Sequence, residues 1–209
     1  MTEAKSWVEG QPAGEGWDPG LQDQIAELNA QLLDALRRCA HRTTVAPDSP
    51  LLAELAPLWR RLGEPALHAM ARCPYLMLDA GFARTDCWDG AVHESAEPRA
   101  DGWLAAALEP DLVRRTVMFG WHLARANPYA ARLSLGMTAP CTRLIARLRL
   151  RDLEQLVERR AGSCRLRWEG RPVVWRQLLE AAATGSMVQL ESLQLRGLQL
   201  LAAEFRRTT

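Results

Sequence analysis

Residues 144–156 read LIARLRLRDLEQL. Leu144, Ile145 and Leu148 precede a junction, Leu153 and Leu156 follow it, and arginine fills most of the other positions before it. Apolar residues three and four apart mark one face of a helix. The stretch therefore predicts two helices that meet at a tight turn near Leu150. Thr138 stands as N-cap of the first, with Pro140 in its first turn and Cys141 on its apolar face. Arg143 and Arg147 fall on the opposite side. Asp152 suits the positive end of the second helix. Val157 continues the second apolar stripe and Gly162 ends it.

Working toward the C-terminus, SCRLRW (163–168) alternates with period two. That predicts a short strand with Cys164, Leu166 and Trp168 on one face and Arg165 and Arg167 on the other. Glu169-Gly170 turns the chain, and Pro172 opens a helix that buries Val174, Trp175, Leu178 and Leu179. After Gly185-Ser186 comes a last helix with Met187, Leu190, Leu193, Gly197, Leu201 and Phe205 on one stripe, and Leu195 and Leu200 off it. A helix apolar on more than one face usually buries against a partner as well as its own core.

Working toward the N-terminus, a short helix ends at Gly136, and another runs from about Asp111 to Arg125, stopping before Asn127-Pro128. Residues 84–102 are polar, with Gly90, Pro98 and Gly102, and read as a long loop. CPYLMLDAGF (73–82) is an apolar run too short for periodicity to separate a buried strand from a helix end. Pro65 starts a short helix. Ser49-Pro50 opens one with Leu51, Leu55, Leu58 and Leu62 in register, which Pro57 should kink. Asp18-Pro19 caps a five-turn stripe of Leu21, Ile25, Leu28, Leu32 and Leu36. The fold class expected is mainly α, as two helical modules with one short strand, divided near 105: residues 20–105 and residues 106–209. Residues 1–19 are polar and Gly-rich, without the apolar stretch of a secretory signal, and read as a mobile arm. Its Trp7 and Trp17 have no local partner to bury them, which suits a docking residue or an idle tail.

The 209 residues are 48% hydrophobic, enough for a real core, yet no run approaches a membrane span. Five cysteines, an odd number without CxxC spacing, fit reduced thiols in a cytoplasmic protein. The formal net charge of +1 hides a segregation. Residues 1–110 carry 9 basic and 17 acidic side chains, a balance of −8; residues 111–209 carry 17 and 8, a balance of +9. Codon bias explains arginine over lysine but not the separation of signs. A basic half and an acidic half suggest a polyanion partner, or each other.

From Leu135 to Trp168 the chain resembles FlhD, a bacterial flagellar transcriptional activator family. The resemblance is carried by Leu135-Gly136-Met137, by Ala146-Arg147-Leu148 at a helix end, by Leu153 with Leu156, by Cys164, and by Leu166-Arg167-Trp168. It extends back to about Leu112 and forward into the last helix, half the chain at most. It implies a small, mainly helical homodimer that activates transcription on duplex DNA together with a zinc-binding FlhC-like partner. The N-terminal half has no counterpart in that family, and Leu166 stands where the family has an aromatic. The arginines of 143–151 fall largely where the family is uncharged, so no DNA-contacting residue transfers.

On the chain's own terms, Arg143, Arg147, Arg149 and Arg151 are the candidate DNA contacts, since guanidinium offers phosphate a planar fork of donors. The plain alternative is a solvated arginine face. If the strand pairs across a two-fold axis, Cys164, Leu166 and Trp168 form the dimer interface, with the two Cys164 thiols at disulfide range. Asp79, Asp86, Cys87, Asp89, His93 and Glu94 are metal-capable types, but glycine interrupts them and no second cluster completes a shell. No metal and no cofactor is expected. No nucleophile-and-base pair, P-loop or GxGxxG occurs, so an enzyme is not expected. The expected function is a dimeric transcriptional regulator; the alternative is a protein-binding adaptor or chaperone-like protein that never touches DNA.

Overall fold

Helix α1 (Pro19–His41) buries the stripe the spacing marks out, with Ile25, Leu32 and Leu36 fully enclosed. The computed structural model describes residues 19–42, 49–88, 103–160 and 164–207. The arm with Trp7 and Trp17, the Asp18 cap, most of the polar loop, and Asp89, His93 and Glu94 lie outside these residues. Helix α2 (Pro50–Arg61) starts on the Ser49 side chain, which accepts the Leu52 N–H at 3.2 Å. It continues through Pro57, which lies on the exposed face with Ala53, where water can replace the lost hydrogen bond. Helix α3 (Glu64–Ala71) follows. The run 73–82 resolves as a two-residue strand, β1 (Leu78–Asp79), and a turn in which the Asp79 carboxylate accepts the N–H groups of Gly81 and Phe82.

After a 3-10 turn (Thr85–Cys87) and the short α4 (Trp103–Ala107) come α5 (Pro110–Ala126), α6 (Pro128–Leu135), α7 (Ala139–Arg147), α8 (Leu150–Arg160), β2 (Arg165–Leu166), α9 (Pro172–Thr184) and α10 (Met187–Arg207). The fold is mainly α-helical with one two-stranded sheet among the described residues. Two groups of helices share it. Helices α2 and α3 each pack on α1 and on α9, and α5 gathers α6, α7 and α8. Helix α1 also touches α5, and α10 touches both α9 and α6.

The expected boundary near 105 is crossed everywhere that matters. β1 pairs antiparallel with β2, Leu78 opposite Leu166. Helices α2 and α3 from one side of the boundary pack on α9 from the other, with Trp59 and Trp175 at 6.0 Å. One hydrophobic cluster runs from Leu21 to Leu201. The described residues thus share one core where two were expected, because the apolar faces of α1–α3 need α9 and α5 to cover them.

The segment between α3 and β1 is the seam. From one side Asn29, fully buried on α1, donates to the Ala71 and Tyr75 carbonyls and accepts the Met77 N–H at 2.9 Å. From the other side comes Arg167. Period two placed it in solvent beside Arg165, but β2 ends at Leu166 and Trp168 adopts a positive φ of 56° in the turn that follows. That turn swings Arg167 inward, to 7% exposure. Its Nε donates to the Leu76 carbonyl at 2.8 Å and its Nη2 to the Leu135 carbonyl, the last of α6, at 2.9 Å. Gly136 (φ 71°) leaves room for the guanidinium; a Cβ there would stand 2.8 Å from Nη1. Gly197 likewise lets α10 approach Tyr75, whose ring and hydroxyl would clash with an added Cβ.

Arg167→Leu leaves two buried carbonyls without donors. Each such loss costs about 1–3 kcal/mol, so the variant is expected to lose at least ~2 kcal/mol in urea unfolding. Arg165→Leu, on the exposed neighbour, should stay within about 0.5 kcal/mol of the parent. Equal effects would restore the alternating strand.

Candidate nucleic-acid interface

The Thr138 side chain accepts the Cys141 N–H and starts α7, as its place in the sequence predicts. Cys141, Thr142 and Ile145 turn inward, and Arg143 and Arg147 stand exposed on the other side, one turn or about 6 Å apart along the axis. The break between α7 and α8 is two residues, Leu148 and Arg149. The Arg149 carbonyl accepts from the backbone N–H groups of Asp152 and Leu153, and the Asp152 carboxylate reaches back to the Arg149 N–H at 3.4 Å. Asp152 thus makes one arm of a capping box. Leu153 and Leu156 bury α8, while Arg149 and Arg151 are exposed.

Helix α5 fixes this pair of helices in place. It packs on both α7 and α8. Trp121 donates its indole N–H to the Leu148 carbonyl at the junction, 3.0 Å away. Seven residues earlier on the same face of α5, Arg114 meets Glu154 at 3.7 Å. Helix α8 therefore runs back along α5, and Arg125, one turn beyond Trp121, lies off the start of α8. The Arg125 guanidinium sits over the Trp121 ring, 4.7 Å from its centroid.

The four predicted arginines are all exposed along the helix–break–helix segment, but they are not equivalent. Arg151 is paired with its neighbour Asp152 at 3.4 Å. Among the described residues, Arg143, Arg147 and Arg149 have no carboxylate within 4 Å. Trp121 and Arg125 were not foreseen, although their i, i+4 spacing on α5 was visible in the sequence. What the sequence lacked was the contact that sets them beside Leu148.

A second basic cluster, Arg37, Arg38, His41 and Arg42, lines a depression of about 430 Å³ at the end of α1. Asp34 pairs with both Arg37 and Arg38, and Glu64 adds a 3.3 Å contact to Arg37. Basic residues at a helix C-terminus answer its exposed carbonyls, which is structural reason enough. The acidic half is also less acidic where it is folded. The described residues up to 110 carry 7 basic and 8 acidic side chains. The remaining deficit belongs to residues 1–18, 43–48 and 89–102.

The residues predicted to form a dimer interface are enclosed within one chain. Cys164, Leu166 and Trp168 are 7%, 2% and 9% exposed within one chain. β2 pairs with β1 of the same chain, and Trp168 packs edge-on against Tyr75 at 5.2 Å. Residues enclosed this far have no surface to give a second copy. No group of three or more His, Cys, Asp or Glu arranged to hold a metal occurs among the described residues. Comparison with protein-family models, with curated proteins and with solved structures returned no match for this chain.

None of the five cysteines forms a disulfide. Burial pushes the Cys73 thiol up to about 12 and also raises that of Cys141. Since the thiolate is the reactive form, a thiol reagent at neutral pH should modify half-buried Cys39 first and the four buried cysteines only on unfolding. Mild oxidation should leave Cys164 unlinked. A covalent dimer abolished by Cys164→Ser would return that residue to an interface.

Proposed function

We propose that this chain is a transcriptional regulator of the FlhD-like kind that binds duplex DNA through the α7–α8 surface. In this reading it works in the cytoplasm as a homodimer with an FlhC-like protein partner. The observation that supports it is the trio Arg143, Arg147 and Arg149, exposed and without carboxylate partners among the described residues, on α7 and the break that follows it, where Trp121 of α5 bonds to the Leu148 carbonyl. Guanidinium groups without a carboxylate partner suit phosphate, because their planar fork of donors is available without first breaking an ion pair. Helix α8 is a poor reader of base edges, since its outer face carries Asp152 and Glu154. Phosphate contact fixes position on a duplex without specifying sequence, so specificity in this reading falls to the partner. With β2 enclosed, self-association falls to the exposed Val188 and Leu195, seven residues apart on α10.

The same apolar residues favour a second reading, a protein-binding adaptor. Val188 and Leu195 are 80% and 60% exposed, and Met187 stands beside them. Duplex DNA separates the two. Neutralised phosphates release counterions, so the logarithm of affinity falls with the logarithm of salt at ~0.9 per phosphate. A DNA-binding chain should show such a slope. Arg143→Glu, Arg147→Glu and Arg149→Glu together should abolish binding while leaving the thermal transition in place. An adaptor shows no DNA binding at any salt.

A further inference from the structure

We propose that Arg125 is a further phosphate contact of this surface, held in position by Trp121. The proposal rests on the DNA-binding reading above and extends it to a helix that the basic stretch 143–151 does not include. Three arginines punctuate the outer side of α5, and the structure treats them differently. Arg115 pairs with Asp111 at 2.7 Å and with Glu27 at 3.3 Å. Arg114 pairs with Glu154. Arg125 is exposed and has no carboxylate within 4 Å among the described residues; its neighbour is the Trp121 ring.

That ring does two things at once. Its N–H is fixed to the Leu148 carbonyl, so the indole is tied to the junction that also presents Arg147 and Arg149. Its face restrains the Arg125 guanidinium by a cation–π contact. A guanidinium lying over a ring keeps in-plane N–H donors at its edge for an acceptor such as a phosphate oxygen. The long side chain is thereby partly ordered before any ligand arrives, and a preorganised group forfeits less freedom on binding. Trp121 is a positioning residue in this scheme, and Arg125 is the group that meets the phosphate.

The test uses the full chain and two duplexes of unrelated sequence, titrated across a salt series. Arg125→Ala should weaken binding to both duplexes by the same factor and lower the salt slope by about one unit. Arg125→Lys keeps the charge but loses the planar fork of guanidinium donors, so it should retain the slope and still weaken binding. Arg115→Ala removes an equal charge from the same helix at a paired position and should leave the slope unchanged. Unchanged thermal transitions identify the variants as folded. If the parent binds with a clear slope but Arg125→Ala matches Arg115→Ala, this proposal is overturned and the DNA-binding reading stands. If the parent binds neither duplex at any salt, both are overturned.

Discussion

A guanidinium enclosed in protein needs partners for its donors, and Arg167 finds them in two backbone carbonyls. One belongs to Leu76, just before β1, and the other to Leu135, at the end of α6. The end of a helix leaves carbonyls unpaired and partly negative, so a cation there serves both the helix and itself. The Arg167 carbonyl in turn accepts the Trp175 indole N–H at 2.8 Å, which brings α9 to the same point. Three parts of the chain, far apart in sequence, are thus held by one residue in the turn that follows β2, beside a two-stranded sheet too small to be stable alone. Asn29 secures the other side of the seam with three hydrogen bonds.

This arrangement bears on the arginine surface through α5. Helix α5 is packed against α1 on one side and α7 and α8 on the other, and Gly120 lets Phe82 lie close against it. Phe82 stacks on Trp88, which donates to the Gly81 carbonyl. The turn after β1 therefore buttresses the same helix that carries Trp121 and Arg125. A basic surface built on such a frame differs from a basic tail: the helices that carry its charges are packed in place before a polyanion arrives. In the proposed function, α1–α3 serve as this frame and leave the arginines of 143–151 uncovered.

Much of this was legible in the sequence because it is local. Ser49, Asn127 and Thr138 cap the helices they precede, and Gly136 and Gly185 end the helices they follow. The stripe of α1 is buried where spacing put it, and Arg143 and Arg147 face out as periodicity required. What escaped was non-local. Alternation across SCRLRW cannot show that β2 stops at Leu166, since the positive φ of Trp168 answers to Tyr75 and to a seam some ninety residues away. The same limit hid the burial of Cys164, Leu166 and Trp168, which one-face patterning describes equally well for a dimer or for a core. The charge boundary at 110 was real as a count, but neither it nor the expected division near 105 marks a break in packing. Much of the acidity it recorded belongs to segments outside the described helices.

The claim on which the rest depends is that the two sides of the boundary at 105 fold as one unit. Residues 106–209 expressed alone would lack β1, the carbonyl of Leu76, and the α2 and α3 faces that cover α9. Their unfolding should be followed by circular dichroism and calorimetry beside the full chain. The account predicts a single cooperative transition for the full chain and none for the fragment. A fragment that unfolds cooperatively, with stability close to that of the full chain, would contradict it.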